Sequence, residues 1–143
     1  MNHRAIGKGK VINTMIIYFI TMKAHSGHII FDGKFTWKNL EKIYPELFNL
    51  FVKEAKLIVG DINIPEVVLH ENLIDIKKGR KPEGYNREGK LRFFFVENDN
   101  KEMVIVRDKA VPCEETREVT EKISKFLNEK KIKHRVEFDK LYM

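Results

Sequence analysis

Apolar residues recur along this chain with two periods, about two in some stretches and about 3.6 in others, and the changes of period set the predicted elements. Residues 16–23 and 28–35 are β-rich runs separated by Ala24-His25-Ser26-Gly27. The Ser-Gly pair supplies turn chemistry, so the two runs predict an opening hairpin. Thr36 can cap a helix from Trp37 with Trp37, Leu40 and Tyr44 on one stripe, until Pro45 forces a break. Pro45 suits the first turn of a second helix, in which Phe48, Phe51, Val52 and Ala55 follow the i, i+3, i+4, i+7 pattern. That helix should end before Gly60. Val67-Val68-Leu69 and Leu73-Ile74-Asp75-Ile76 are short strand candidates. Leu91 to Val96, the turn residues Asn98-Asp99-Asn100, and Met103 to Val106 predict a second hairpin. After Pro112, residues 114–130 place Val119, Ile123, Phe126 and Leu127 on one helical face. The stretch Ile132 to Phe138 alternates as a final strand.

These runs assemble as ββαα(β)ββαβ. The fold expected is α+β, an antiparallel sheet of about five strands with helices packed on one face and the other face partly open. A length of 143 residues suits one domain. Residues 15–143 are read as that domain, with 15–110 as a nucleic-acid-binding core and 111–143 as a helix plus strand suited to oligomerisation. Residues 1–14 hold three basic and no acidic side chains. They read as a loose basic arm, or as sequence ahead of a start at Met15. The apolar run 11–22 is shorter than the roughly 20 residues a membrane span needs. The basic residues before it mimic a signal peptide, but its composition favours a strand.

Charge narrows the function. Lys and Arg number 27 against 21 Asp and Glu, a net +6. Such a field draws polyanions over about 8 Å in cellular salt. Most of it sits in the segment 77–92, where Lys77, Lys78, Arg80, Lys81, Arg87, Lys90 and Arg92 face only Glu83 and Glu88, leaving +5. With three Gly and one Pro, this segment reads as a long flexible loop able to follow a phosphate backbone, with Tyr85 as a stacking ring among the charges. The succession Phe93-Phe94-Phe95 must put rings on both faces of its strand. If Leu91, Phe93 and Phe95 face the helices, Phe94 lies with Arg92 and Val96 on the opposite face as a platform for a base; in the other register Phe93 and Phe95 do. Trp37, at a strand-to-helix junction, could line a cleft mouth.

Signals for catalysis are weak. His70-Glu71 lacks the second His of a metalloprotease helix, because position 74 is Ile74. His25 and His28 flank the expected turn without an organised carboxylate shell, and Cys113 and His134 have nothing to orient them. The single Cys113 forms no internal disulfide, which suits a reducing cytoplasmic setting. No motif calls for a metal or cofactor.

The opening hairpin, the segment Phe35-Thr36-Trp37-Lys38-Asn39-Leu40-Glu41-Lys42-Ile43-Tyr44-Pro45-Glu46-Leu47, the basic loop and the aromatic strand Leu91 to Glu97 together resemble the N-terminal domain of the ThermoDBP-like archaeal single-stranded DNA-binding proteins, over about residues 15–110. The resemblance implies non-sequence-specific binding of single-stranded DNA in a basic cleft with a hydrophobic floor, in a thermophile protein that assembles as a dimer or larger oligomer. Here one amphipathic helix plus a strand stands where the founding type has a long zipper-like helix. Single-stranded DNA or RNA is therefore the expected partner. The competing readings are a homo-oligomeric interaction module and a metal-dependent nuclease using Asp32, Asp61 and Asp75.

Overall fold

The structure is a computed structural model, and it describes residues 23–55, 64–87, 91–107 and 112–140. It is an α+β fold built on a five-stranded antiparallel sheet of order β2-β3-β4-β1-β5, against which three helices pack. The strands are β1 (Ser26–Phe31), β2 (Gly84–Tyr85), β3 (Leu91–Glu97), β4 (Lys101–Arg107) and β5 (His134–Phe138). The helices are α1 (Tyr44–Glu54), α2 (Ile64–Lys77) and α3 (Glu114–Glu129), preceded by a single 3-10 turn over Trp37–Leu40.

The β3–β4 hairpin forms as its alternation requires, from Leu91↔Arg107 to Glu97↔Lys101, closed by a bond from the Asn98 N–H to Asn100 O at 3.2 Å. Pro45 stands in the first turn of α1, where its missing N–H costs nothing. Leu47, Phe48, Phe51 and Ala55 bury the inner face of that helix. The predicted C-terminal helix and strand also form, with Val119, Ile123 and Leu127 buried.

The strand β1 does not pair as the expected opening hairpin requires. Both edges of β1 are taken, one by β4 (Ser26↔Val106 to Ile30↔Glu102) and the other by β5 (Gly27↔Phe138 to Phe31↔His134). Ser26-Gly27 lies inside this central strand, and residues 16–22 lie outside the described residues. Gly27 is there for space. A Cβ at this position would overlap Thr120 Oγ1 and come within 2.8 Å of Thr120 Cβ, so only glycine lets α3 pack this close to the sheet. The strand candidates at 67–69 and 73–76 are corrected as well: both belong to α2. Val68, Asn72 and Ile76 face inward at i, i+4, i+8. Asn72 puts a polar residue on the buried face, while Val67 and Ile74 point outward, so the helical period is masked. The helix expected from Trp37 is only the 3-10 turn, and Tyr44 opens α1 instead.

One continuous run of rings fills the core. Phe31 stacks on Phe35 at 3.9 Å between centroids, Phe35 meets Trp37 edge-on at 5.7 Å, and Trp37 meets Phe95 at 5.4 Å. Phe93 then joins Phe95 to Phe51 and Phe48, and Phe48 meets Tyr85 at 5.9 Å. Such offset and edge-to-face pairs add roughly 0.5–1.5 kcal/mol each beyond their buried area.

Gly27→Ala should cost about 1–3 kcal/mol by overpacking. Thr120→Ala in the same chain should recover part of that loss, and urea unfolding of the two single variants and the double variant measures the coupling.

Candidate nucleic-acid interface

The basic segment leaves α2 through a tight cap. Gly79, at φ +74°, occupies the left-handed position, the Gly79 N–H bonds Ile76 O at 2.9 Å, and the Arg80 N–H bonds Asp75 O at 2.8 Å. The chain then enters β2, where Gly84 pairs with Phe94 and Tyr85 with Phe93. The expected long loop is thus interrupted by a short strand at the sheet edge. Asn72 fixes this strand from the helix side. Its Nδ2 donates to Tyr44 Oη at 2.9 Å and to Gly84 O at 3.0 Å, and its Oδ1 accepts the Gly84 N–H at 3.3 Å. Burial pushes the Tyr44 hydroxyl well above the usual tyrosine range, against the opposing pull of the Asn72 bond.

Lys77, Lys78, Arg80, Lys81 and Arg87 are all exposed along this segment. Arg80 pairs with Asp75 at 2.9 Å, and Lys81 Nζ donates to Phe95 O at 3.3 Å. Lys90 lies outside the described residues. On β3 the first of the two registers holds: Leu91, Phe93 and Phe95 are buried toward the helices, while Arg92, Phe94 and Val96 lie half-buried on the other face. Phe94 pairs with Gly84 across the β2–β3 ladder, where a Cβ at Gly84, at φ +90°, would press on Phe93 O and the Phe93 ring.

Trp37 and Tyr85 are corrected from stacking rings to core rings. Trp37 is 3% and Tyr85 2% exposed, their faces are engaged by other rings, and the Trp37 Nε1–H donates to Glu97 Oε1 at 3.0 Å. That bond is the leading cause holding the Glu97 carboxyl below its usual range, with Lys101 adding to it. With Trp37 and Tyr85 in the aromatic run that links β1, α1 and β3, Phe94 is the expected stacking ring that stays on the face of β3 carrying Arg92.

The centre of the sheet's second face is closed rather than open. Ser26, His28, Ile30, Glu102, Val104 and Val106 are buried there. Among the described residues, the large apolar side chains left exposed are Val67 at 54% and Ile74 at 39%, both on α2. The second face, expected to be partly open, is therefore closed at the middle of the sheet.

Ser26, His28 and Glu102 form a constellation that sequence spacing did not suggest. Ser26 Oγ lies 2.8 Å from His28 Nε2, and His28 Nδ1 lies 3.3 Å from Glu102 Oε1, while Lys140 bonds the other Glu102 oxygen. With the proton on Nδ1, the imidazole donates to Glu102 and accepts the Ser26 hydroxyl, the order of a hydrolytic triad. The surroundings oppose that chemistry. Ser26 is wholly buried, and the β1 backbone runs between two ladders instead of presenting amides to an oxyanion. The arrangement is a satisfied polar cross-link between β1 and β4.

The other reactive candidates stay apart. His134 is held by Ser124 Oγ at 2.6 Å and Ile132 O at 2.7 Å, and the buried Cys113 Sγ meets Thr116 Oγ1 at 3.0 Å. His70 and Glu71 are exposed on α2. Asp75 is engaged by Arg80, and Asp61 lies outside the described residues. No group of three or more His, Cys, Asp or Glu able to hold a metal occurs among the described residues. No helix among them is long and apolar enough to cross a membrane.

Sequence reasoning missed one basic feature, the turn between α3 and β5. With the β1 exit it frames a cavity of about 300 Å³ lined by Lys34, Lys131, Lys133, Asp32, Asn39 and Phe35. The available signal was Lys130-Lys131-Ile132-Lys133-His134-Arg135, four Lys and Arg in six residues, which its strand-like alternation concealed. Comparison of the chain with protein-family models, curated proteins and solved structures finds no match.

Burial holds the His28 pKa below the usual 6.5, against the opposing hydrogen bond that the ring donates to Glu102. The unfolded chain therefore takes up this proton first, and stability present above about pH 6.5 should fall as the pH drops through that value. Melting temperature followed from pH 7.5 to 5 should decline more steeply in the native chain than in His28→Asn. Equal slopes would place the acid sensitivity elsewhere.

Proposed function

We propose that this chain binds single-stranded nucleic acid, DNA in the first instance, by tracking phosphates with the basic segment 77–87. The observation that carries the reading is the row of exposed cations along the α2 cap and β2, in which Arg80 pairs back to Asp75 in the last turn of α2. Asn72 and the β2–β3 ladder hold Gly84 and Tyr85 within that row against the sheet, which lowers the ordering cost of binding. Phe94, half-buried on the face of β3 that carries Arg92, supplies one ring for a base. The resemblance to the ThermoDBP-like proteins implies the same class of ligand. Compared with three rings, one ring shifts the balance toward electrostatic, sequence-independent affinity.

A second reading has its own observation. Val67 and Ile74, seven residues apart, expose an apolar stripe on α2 of the kind that homo-oligomers bury.

Binding of a fluorescent oligothymidylate, followed by anisotropy across a salt series, tests the first reading. If about four to six phosphates are neutralised, log K should fall against log salt with a slope of about −3 to −4. Replacing Lys78, Arg80, Lys81 and Arg87 together by Ala should flatten the slope with the fold intact. Phe94→Ala should weaken binding by about 1–3 kcal/mol with little change in slope. A flat salt response in the native chain refutes the proposal. Concentration-dependent assembly abolished by Val67→Glu, without oligonucleotide binding, would establish the second reading instead.

A further inference from the structure

We propose that the cavity between the β1 exit and the α3–β5 turn is a phosphomonoester site, separate from the basic segment 77–87 and independent of the reading given for it. The decisive residue is Lys131. Helices α2 and α3 end in the same capping motif: Gly79 N–H to Ile76 O and Arg80 N–H to Asp75 O in one, Lys131 N–H to Asn128 O at 3.0 Å and Ile132 N–H to Leu127 O at 2.9 Å in the other. The motif needs a left-handed residue at the position after the cap. In α2 that residue is Gly79, which adopts it freely; in α3 it is Lys131, at φ +63°, a conformation disfavoured for any residue with a Cβ. Lys131 is exposed, so no core contact offsets the strain. Its side chain lines the cavity together with Lys34 and Lys133.

Compensation of the helix dipole does not explain this. The negative end of α3 favours a cation in the last turn or at the cap, and Lys130 already stands there. Nor are the three lysines used up elsewhere: among the described residues no carboxylate lies within ion-pair distance of Lys34, Lys131 or Lys133, although Asp32 shares the cavity. Three lysines against one aspartate leave +2, which outweighs the roughly half charge at the helix end and matches a phosphomonoester dianion. Asn39 adds a donor, since its Oδ1 already accepts the Thr36 N–H at 2.8 Å and its Nδ2 is left over. The walls are fixed from both sides, by the Asp32 N–H to Lys133 O bond at 3.1 Å and the Phe35 N–H to Asp32 O bond at 2.9 Å. A volume of about 300 Å³ exceeds a bare phosphate and leaves room for the group that bears it. The bearer is a free small molecule such as a nucleotide, or the 5′ end of a strand.

The test uses the full chain and titrates it calorimetrically with adenosine 5′-monophosphate, adenosine, and one oligothymidylate with either a 5′-phosphate or a 5′-hydroxyl. Adenosine 5′-monophosphate should bind and adenosine should not. Tighter binding of the phosphorylated oligonucleotide than of its hydroxyl counterpart identifies a strand end as the source; equal binding of the two identifies the free small molecule. Lys131→Gly and Lys131→Asn, both tolerant of the left-handed position, should weaken adenosine 5′-monophosphate about ten- to hundredfold. Their melting temperatures should be unchanged or higher, which a purely structural lysine would not produce together with lost binding. The fourfold Ala variant of segment 77–87 should keep this binding, so failure of the segment reading and failure of this one are separable. The proposal is overturned if adenosine binds as well as its monophosphate, if the native chain binds neither, or if both Lys131 variants bind like the native chain.

Discussion

A single buried amide, Asn72 on α2, ties that helix both to Tyr44 on α1 and to Gly84 in the edge strand β2. All three of its hydrogen-bonding groups are used, two N–H donors on Tyr44 Oη and Gly84 O and one oxygen on the Gly84 N–H. A two-residue strand such as β2 is too short to hold itself on the sheet by its ladder alone. Asn72 acts as its outer neighbour, supplying a donor and an acceptor to the edge that β3 does not use. Because β2 sits 12 residues after Asn72, this also closes the basic segment into a tethered loop. Loss of the amide would leave a buried N–H, a buried C=O and a tyrosine hydroxyl to be satisfied at once, at roughly 1–3 kcal/mol each. The backbone that carries the charges of the segment is therefore anchored by a neutral residue on a helix, with the Arg80–Asp75 ion pair and the Lys81 bond to Phe95 O added at the side-chain level.

The central strand β1 imposes the other constraint. With a neighbour on each edge and side chains buried on each face, it has no free direction. Toward the helices it offers Gly27, Ile29 and Phe31, graded from no side chain beneath Thr120 to a full ring at the start of the aromatic run. On the other face it offers Ser26, His28 and Ile30, and the polar pair survives burial because Glu102 and Lys140 complete its bonds. Burial of a charged histidine there would be costly, so the neutral form is the one the fold selects. The network couples β1 to β4 through side chains as well as through the ladder.

How much of this was legible in the sequence follows from whether the decisive partner was local. The β3–β4 hairpin, α1 and α3 each carry a clean period and nearby punctuation, and each formed where expected. Ser26-Gly27 carried an equally clear local signal, but Gly27 serves a helix more than 90 residues away, and no local rule contains that distance. In α2 the inward Asn72 and outward Val67 and Ile74 invert the usual pattern, because the amide is required by β2 and Tyr44 rather than by its own helix. At the candidate interface the charges were legible, since solvated cations obey composition. The rings were not: exposure of Trp37 or Tyr85 depends on whether other rings reach them, and both meet partners far along the chain.

Separating rings from charges has a consequence for how such a protein could hold its ligand. Aromatic rings stabilise this core by packing on one another, so each ring given to a ligand would be withdrawn from a continuous cluster in which Phe93 alone meets Phe48, Phe51 and Phe95. Cations carry no such conflict, because their stems and heads lie outside the core and their loss leaves the packing intact. A chain of this size that commits most of its aromatic residues to stability is left with lysine and arginine for recognition. Lysine contacts phosphate as a mobile point charge, which favours tolerance of sequence and sensitivity to salt. Lys131 differs from the cations of the segment 77–87 in its setting: it holds a left-handed backbone position beside a cavity that Lys34 and Lys133 also line, and several cations converging on one cavity are what would turn attraction for any polyanion into preference for one phosphate group.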